Sequence, residues 1–203
     1  MSDPIRTRRG PYAKSAERRQ QIVEQAYRAF ATRGYHGSSL REIAAASGIS
    51  LSTLQHHFAT KEELLITVLT RRDQQGHGTV SGQEGLPFRE HILAQAAANE
   101  GVPGLIALYS ILSAEAVTPE HPGHVYFAER YDALREEYEA EFAALRAQGR
   151  LRPGVEPALA ATTVVALWEG VQLQWLYAPD RVDAGAALRA YLELVIVPQR
   201  DEP

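Results

Sequence analysis

Apolar positions recur along the chain with helical spacing. Near the start, Ile22, Ala26 and Phe30 share one helical face, and Gly34 supplies a left-handed stop for a helix that begins at Ala16. The sequence shows no useful length of the period-two alternation that indicates half-buried strands. The pattern therefore predicts an all-α protein.

Capping signals and breakers divide this pattern into helices. Ser39 followed by Glu42, and Thr60 followed by Glu63, are capping boxes that predict two helix starts. A glycine-rich stretch at 76–87 lacks periodicity and predicts a loop. Five further helices are predicted between breakers, at about 88–99, 102–117, 123–148, 156–178 and 183–197.

Two short helices joined by a glycine turn predict a helix-turn-helix. The first follows the first capping box, the turn contains Gly48, and Ser50 caps a second helix over 51–57. Ala44 and Ala45, together with the turn glycine, are small enough for two closely crossing helices. The outer face of the second helix carries hydroxyl, amide and imidazole groups but no carboxylate. Such a face fits a DNA major groove, because it brings no negative charge to the phosphates.

Charge is unevenly distributed along the chain. The 203 residues carry a net charge of −4, but residues 1–72 hold 12 Lys/Arg and 6 Asp/Glu, whereas residues 73–203 hold 9 and 19. A basic first third on an acidic body favours a polyanion-binding head joined to a body with another task.

Several classes of protein are disfavoured by what the sequence lacks. It has no cysteine, no secretory signal, and no uncharged run longer than 102–114, which is too short to span a membrane. It has no phosphate-binding loop, no nucleophile turn and no metal-ligand cluster with convincing spacing. We therefore predict a cytoplasmic protein that is not an enzyme, with no catalytic residues, cofactor or metal.

The stretch from Arg19 to Leu69, which includes IVEQAYRAFATRGYHGSSLREIAAASGISLSTLQHHFATKEELL, resembles the tetracycline-repressor (TetR) family of regulators. The resemblance implies a homodimer that binds a palindromic DNA operator and responds to a small molecule bound by a helical C-terminal domain. In two departures, Gln55 stands where the family usually has a tyrosine that contacts the DNA backbone, and Ser52 replaces a usual glycine. The implied domains are a basic flexible arm (1–15), a helix-turn-helix domain (16–62) and a ligand-binding and dimerisation domain (63–203).

The predicted DNA contacts combine the helix-turn-helix pattern with the resemblance. Lys61, in the first turn of its helix, matches a family lysine that contacts the backbone, and free amides there also attract phosphate. Arg8 and Arg9 either enter an adjacent minor groove or only increase solubility. The full predicted set is Arg8, Arg9, Ser39, Arg41, Ser50, Leu51, Ser52, Thr53, Gln55, His56, His57 and Lys61.

The body residues are assigned to two roles. An unusually apolar helix at 156–178 needs partners on several sides, and a second subunit provides one. The predicted dimer contacts are Leu167, Gly170, Val171, Leu188, Tyr191, Leu192 and Val195. The predicted ligand contacts are Tyr109, Tyr126, Phe127, Tyr131, Trp168, Gln172 and Trp175.

Alternatives remain open for each assignment. The apolar helix can be wholly internal, and the aromatic residues can form an ordinary core. For the whole protein, the rivals are a non-specific, chromatin-like DNA binder and an enzyme with a DNA-binding head. The sequence does not reveal the effector, the operator, or whether the effector releases or promotes DNA binding.

Overall fold

The computed structural model describes residues 11–79 and 87–198, and the all-α prediction is confirmed for this part. The chain divides into two compact units, Met1–Arg71 and Arg72–Pro203. None of the described helices is both long and apolar enough to cross a membrane. The helices are α1 (Pro11–Arg33), α2 (Leu40–Ala46), α3 (Leu51–His57), α4 (Lys61–Thr79), α5 (Phe88–Glu100), α6 (Pro103–Glu115), α7 (His124–Ala147), α8 (Pro157–Tyr177) and α9 (Ala184–Val195).

Helix α1 begins earlier than the sequence pattern predicts. It starts at Pro11 rather than Ala16, so the last five residues of the flexible arm predicted at 1–15 are helical. Proline suits the first helical position because its missing N–H would have no intrahelical partner there. Residues 1–10, with Arg8 and Arg9, lie outside the described residues.

The capping interactions of the helix-turn-helix confirm its prediction. At the start of α2, the Ser39 hydroxyl accepts from the Glu42 amide at 3.3 Å, and the Glu42 carboxylate accepts from the Ser39 amide at 3.0 Å. At the start of α3, the Ser50 hydroxyl accepts from the Thr53 amide at 3.1 Å. These bonds satisfy amides that a helix start leaves without a partner.

The small residues near the turn act differently from the prediction. Ala44 is buried, but Ala45 is exposed, so Ala45 does not contribute to a close helix crossing. Gly48 has φ +66°, and a Cβ added there would meet nothing within 4 Å. Gly48 is therefore needed for its left-handed backbone conformation, not for close packing.

Helix α4 follows a modified capping box. The Thr60 hydroxyl accepts from the Glu63 amide at 3.1 Å, but the Glu63 carboxylate accepts from the Ala59 amide at 2.9 Å instead of the Thr60 amide. The helix runs to Thr79. The loop predicted at 76–87 is therefore wrong for residues 76–79, where Gly76 and Gly78 lie within the helix, and residues 80–86 lie outside the described residues.

The five body helices lie within a few residues of their predicted bounds. Helix α8 packs against α6, α7 and α9, and α9 also packs against α5. After α7, Leu151 forms an isolated antiparallel bridge with Ile196, which ties this segment to the end of α9. A buried hydrophobic cluster among these helices, called the body core, contains Ile92, Ala96, Phe142, Leu145, Leu151, Ala160, Ala161, Val164, Leu188, Leu192, Val195 and Ile196.

Candidate DNA-binding face and ligand site

Helix α3 presents a polar outer face. Its buried side is anchored by Leu54, and Phe58, which follows the helix, is also fully buried. The exposed residues of the helix are Ser52, Thr53, Gln55 and His56. The exposed side chains of α3 therefore carry hydrogen-bonding groups without any carboxylate, as the sequence predicts.

Hydrogen bonds among the hydroxyl groups order the first turn of α3. The Ser50 oxygen lies 2.9 Å from the Ser52 oxygen and 2.8 Å from the Thr53 hydroxyl oxygen. The same Ser50 oxygen also caps the helix, so its first task is structural. Contacts from these residues, and from the half-buried Leu51, to DNA remain predictions.

His57 differs from its exposed neighbour His56, because it is half-buried. Burial lowers the pKa of His57 from 6.5, and the charges of His56, Arg19 and Arg18 lower it further. This shift favours the neutral imidazole at pH 7. In this state His57 can take part in hydrogen bonds with DNA but brings no positive charge.

Lys61 is held by the backbone between α1 and α2. Its Nζ donates to the carbonyl oxygens of Tyr35 and Ser38, both at 2.8 Å, and lies 4.0 Å from the centre of the Tyr35 ring. The Tyr35 hydroxyl in turn donates to Glu62 at 2.9 Å. An ammonium group has three donors. While the bonds to Tyr35 and Ser38 persist, only the third N–H of Lys61 can donate to a phosphate. The phosphate contact of Lys61 therefore remains a prediction.

The start of α2 carries the remaining predicted DNA contacts. Ser39 donates its hydroxyl to Glu42 at 2.8 Å, and Glu42 lies 3.7 Å from Arg33. The side-chain hydrogen bond from Ser39, then the backbone bond and the charge of Arg33, lower the pKa of Glu42. Arg41 is exposed. Ser39 therefore serves the helix cap, and Arg41 has the exposure that a phosphate contact needs.

Three of the predicted ligand contacts form an aromatic group between α6 and α7. The hydroxyl oxygens of Tyr109 and Tyr126 lie 3.1 Å apart, and both rings pack edge-on against Phe127. The guanidinium of Arg130 lies 4.9 Å from the centre of the Tyr109 ring. Phe127 is buried and the two tyrosines are half-buried. The group therefore combines apolar surface with polar atoms.

A carboxylate that the sequence analysis did not select lies beside Tyr131, the fourth predicted contact from these helices. Burial raises the pKa of Glu169 on α8, and the charge of Arg130 and a hydrogen bond from Tyr131 oppose that rise. Burial also raises the pKa of Tyr131, which interacts with Ser113 as well. Side chains from α6, α7 and α8 thus meet at a charged site. The detectable sequence signal was a single acidic residue within an apolar helix.

The predicted ligand contacts on α8 lie in different surroundings. Gln172 is buried, and Trp168 is half-buried and packs against the body core. Trp175 is half-buried. The core packing of Trp168 follows the alternative of an ordinary aromatic core, whereas ligand contact by Gln172 and Trp175 remains a prediction.

Most of the predicted dimer contacts belong instead to the core of one chain. Val171, Leu188, Leu192 and Val195 are buried, so they are not available to a second subunit. Leu167 and Tyr191 are half-buried and pack against the same core, and only Gly170 is exposed. Burial of these four residues disfavours them as dimer contacts, because helical spacing identifies an apolar face without identifying what covers it. Contacts of Leu167, Tyr191 and Gly170 with a second subunit remain predictions.

The outer stripe of α8 is a largely different set of residues, in which Gly170 is the one predicted dimer contact. Leu159 is 68% exposed, Leu173 46% and Tyr177 85%. Spacings of four and three residues place the stripe on one side of the helix, within an arc of about 80°. The outer stripe comprises Leu159, Thr163, Ala166, Gly170, Leu173 and Tyr177. Nearby in sequence, Leu194 of α9 is 71% exposed.

Metal chemistry has no support in the part of the chain that the structure describes. Within residues 11–79 and 87–198, no group of three or more His, Asp or Glu side chains is placed to hold a metal ion. Two histidines near the α6–α7 turn bond to the backbone instead. His121 Nδ1 accepts from the Gly123 amide at 3.0 Å, and His124 Nδ1 lies 2.8 Å from the Ala116 oxygen.

Glutamine in place of Glu169 is expected to change how stability depends on pH. The raised pKa means that the folded protein binds this proton more tightly than the unfolded chain, whose pKa lies near 4.5. This contribution to stability is fully present below the unfolded pKa and is lost as the pH rises through the folded pKa. Each unit of difference is worth about 1.4 kcal/mol. The free energy of unfolding of E169Q minus that of the wild type should therefore increase as the pH rises from 4 to 8.

Thermal unfolding across this pH range measures the effect. The matched control is Glu141→Gln, which removes an exposed carboxylate from α7. If E169Q and E141Q show the same pH dependence as the wild type, Glu169 is not the buried titrating group described above.

Two family models of known proteins match this chain, one in each of its two compact units. A family model described as bacterial regulatory proteins of the tetR family matches residues 22–68. A second model, described as the C-terminal part of BetI-type transcriptional repressors, matches residues 106–196. The chain belongs to the TetR family of transcriptional regulators. The helix-turn-helix is therefore the DNA-binding element of a TetR-family regulator, as the resemblance implied.

Individual relatives agree with this family. The transcriptional repressor AcnR of Corynebacterium glutamicum is 38% identical over 73 residues, 36% of this chain and 38% of the relative. The transcriptional activator FasR of Mycolicibacterium smegmatis is 42% identical over 64 residues, 32% of this chain and 29% of the relative. The chain thus spans about a third of the length of these curated relatives. A regulator from Saccharomonospora viridis, solved in complex with choline, shares the fold with a TM-score of 0.73 and 22% identity over 91% of this chain and 100% of that one.

Proposed function

We propose that this protein is a homodimeric repressor that binds a palindromic DNA operator and responds to a small-molecule effector. The observation that carries the proposal is the carboxylate-free outer face of α3, held on a capped helix-turn-helix. Each subunit would place α3 in one major groove, so a two-fold dimer reads an inverted repeat. Because its target is DNA, we also propose a cytoplasmic location.

The outer stripe of α8 supports the dimer. A row of exposed apolar and small residues on a helix is expected to be covered in the assembled protein. In an isologous dimer the same stripe of each subunit meets its copy. The small side chain of Ala166 and the absence of one at Gly170, in the middle of the stripe, would let two helices approach closely, while Leu159 and Tyr177 lie towards its ends.

Alanine in place of Gly170 tests this close approach. A Cβ at this position would meet nothing within 4 Å in the single chain. Because alanine favours a helix interior by about 1 kcal/mol over glycine, G170A should stabilise the isolated chain by that amount. It should weaken dimerisation, since two added methyl groups enter the crossing. Unfolding and sedimentation over a range of protein concentrations measure both effects, and a dimer as tight as the wild type would exclude a crossing at Gly170.

The ligand site is proposed between α6, α7 and α8. Support comes from the aromatic group of Tyr109, Tyr126 and Phe127 and from the charged site at Tyr131 and Glu169. Apolar surface with a few convergent polar groups is the usual form of a small-molecule site. A related regulator binds choline in its crystal structure. For the effector to control DNA binding, it must bind two conformations of the dimer with different affinity.

Selection from random duplex DNA tests the proposal. The purified protein is mixed with the duplex pool at near-physiological salt, and the bound DNA is sequenced. Enrichment of an inverted repeat is the expected result, and its half-site spacing reports the separation of the two α3 helices. Salt-sensitive binding without any enriched sequence would contradict a specific operator and would support the chromatin-like alternative.

A further inference from the structure

Arg19 of α1 contacts the end of α3 across 38 positions of the sequence. Its Nη1 donates to the His57 carbonyl oxygen at 2.6 Å. Its guanidinium carbon lies 4.0 Å from the centre of the Phe58 ring, and its Nη2 lies 3.9 Å from a carboxylate oxygen of Glu63. One side chain thus reaches the end of α3, the residue that follows it, and the first turn of α4.

The end of α3 needs such a partner. The helix has only seven residues, and a helix this short is not stable by itself in water. Carbonyl groups in its last turn have no intrahelical partner, and a cation there also interacts favourably with the helix dipole. The Phe58 amide already donates to the Leu54 oxygen at 2.9 Å. The bond from Arg19 supplies the partner for His57.

We propose that Arg19 is a positioning residue for DNA binding, which fixes the C-terminal end of the recognition helix α3 without contacting DNA. Gln55 and His56 lie in the last turn of α3, immediately before the carbonyl that Arg19 binds. Movement of this turn would displace both exposed side chains. Arg19 therefore acts through α3, and its side chain binds the protein itself.

The contacts require an arginine. A planar guanidinium can stack on an aromatic ring while its N–H groups, which lie in the guanidinium plane, donate to oxygen atoms beyond the edge of the ring. Lysine keeps the positive charge but offers one compact ammonium group, which cannot stack on Phe58 and reach both oxygen partners in the same way. Arg19→Lys therefore separates geometry from charge, and Arg19→Met removes both.

Amide hydrogen exchange in the DNA-free protein tests the positioning role directly. R19M and R19K are expected to increase exchange of the Leu54 and Phe58 amides by about tenfold or more, because a hydrogen bond to a charged group is lost. The Ser47 amide, which ends α2 by donating to Ile43, should keep its rate. General destabilisation of the first unit would instead increase exchange at all three amides.

Arg28→Met is the matched control. Arg28 lies on the same helix, is exposed, and pairs with Glu24 at 3.3 Å. Its replacement removes the same charge from α1 and leaves the contacts at the end of α3 intact. R28M should therefore show wild-type exchange at Leu54 and Phe58.

The DNA measurement rests on the proposed operator binding. With the duplex obtained by selection, R19M and R19K should lose about tenfold or more in affinity, while their affinity for a scrambled duplex changes less than about twofold. The dependence of log affinity on log salt should keep its slope, because no phosphate contact is removed. If selection by the wild-type protein yields no sequence, the operator proposal fails, and the exchange experiment alone decides whether Arg19 holds α3.

Two results would overturn the inference. Wild-type exchange at Leu54 and Phe58 in R19M would show that Arg19 does not hold the end of α3. Wild-type operator affinity in R19K, together with a salt slope in R19M that falls by about one ion, would identify Arg19 as a phosphate contact instead.

Discussion

Glutamate in place of Leu173 is expected to make the protein monomeric while each chain stays folded. Leu173 is 46% exposed and belongs to the outer stripe of α8, so its side chain is not required for the core of one chain. A monomer presents one α3 helix instead of two. Operator binding should therefore fall by orders of magnitude, because half of the contacts to an inverted repeat are lost.

The size of this effect follows from symmetry and desolvation. In a two-fold dimer every substitution occurs twice, so L173E brings two carboxylates into one interface. The penalty for each uncompensated buried charge is several kcal/mol. Since about 1.4 kcal/mol corresponds to a tenfold change in an equilibrium constant, the two charges would weaken the dimer at least about a thousandfold.

Sedimentation and light scattering at several protein concentrations measure the change, and circular dichroism checks the fold. Val117→Glu is the matched control, because Val117 is 73% exposed in the turn after α6 and lies outside the stripe. V117E should remain a dimer with wild-type operator affinity. A dimeric L173E that still binds the operator would exclude the outer stripe of α8 as the dimer interface.

The helix bounds could be predicted because local chemistry decides them. Ser39 and Glu42 form the reciprocal bonds that their spacing indicates, and proline or glycine separates the body helices where expected. Prediction failed where a local signal has two meanings. Pro11 can break a helix or begin one, and here it begins α1.

The proposed subunit interface could not be predicted in the same way. Leu173 and Leu188 are both leucines on the last two helices, yet one is substantially exposed and the other is fully buried. Helix α8 is apolar on several sides, and its periodicity does not say which side faces the same chain. That distinction depends on how α8 packs against α7 and α9, which only the tertiary structure specifies.

Roles that depend on distant contacts were also hidden. Lys61 matches the family lysine in sequence, but its ammonium binds carbonyl oxygens of Tyr35 and Ser38, more than twenty positions earlier. Glu169 reads as one charge within an apolar helix until Tyr131 and Arg130 are placed beside it. The residue types were visible in the sequence, whereas their partners were not.

Alanine in place of Phe58 is expected to unfold the first compact unit, or nearly so, while the second unit keeps its fold. Phe58 is fully buried immediately after α3, and its ring supports the Arg19 guanidinium. Replacing a buried phenylalanine by alanine costs about 3–5 kcal/mol. A unit of about 70 residues has a free energy of unfolding of only about 4–10 kcal/mol, so this loss removes a large part of it.

Separate spectroscopic probes for the two units test this expectation. DNA binding should be lost in F58A, whereas the dimer should persist, because the outer stripe of α8 belongs to the second unit. Phe58→Leu is the control, since leucine fills much of the volume and should retain most DNA binding. Loss of the dimer in F58A would show that the two units unfold together. Retained dimerisation would show that the substitution destabilises the first unit without unfolding the second. The residues that shape the DNA-binding face would then be distinct from the residues that bring two such faces together.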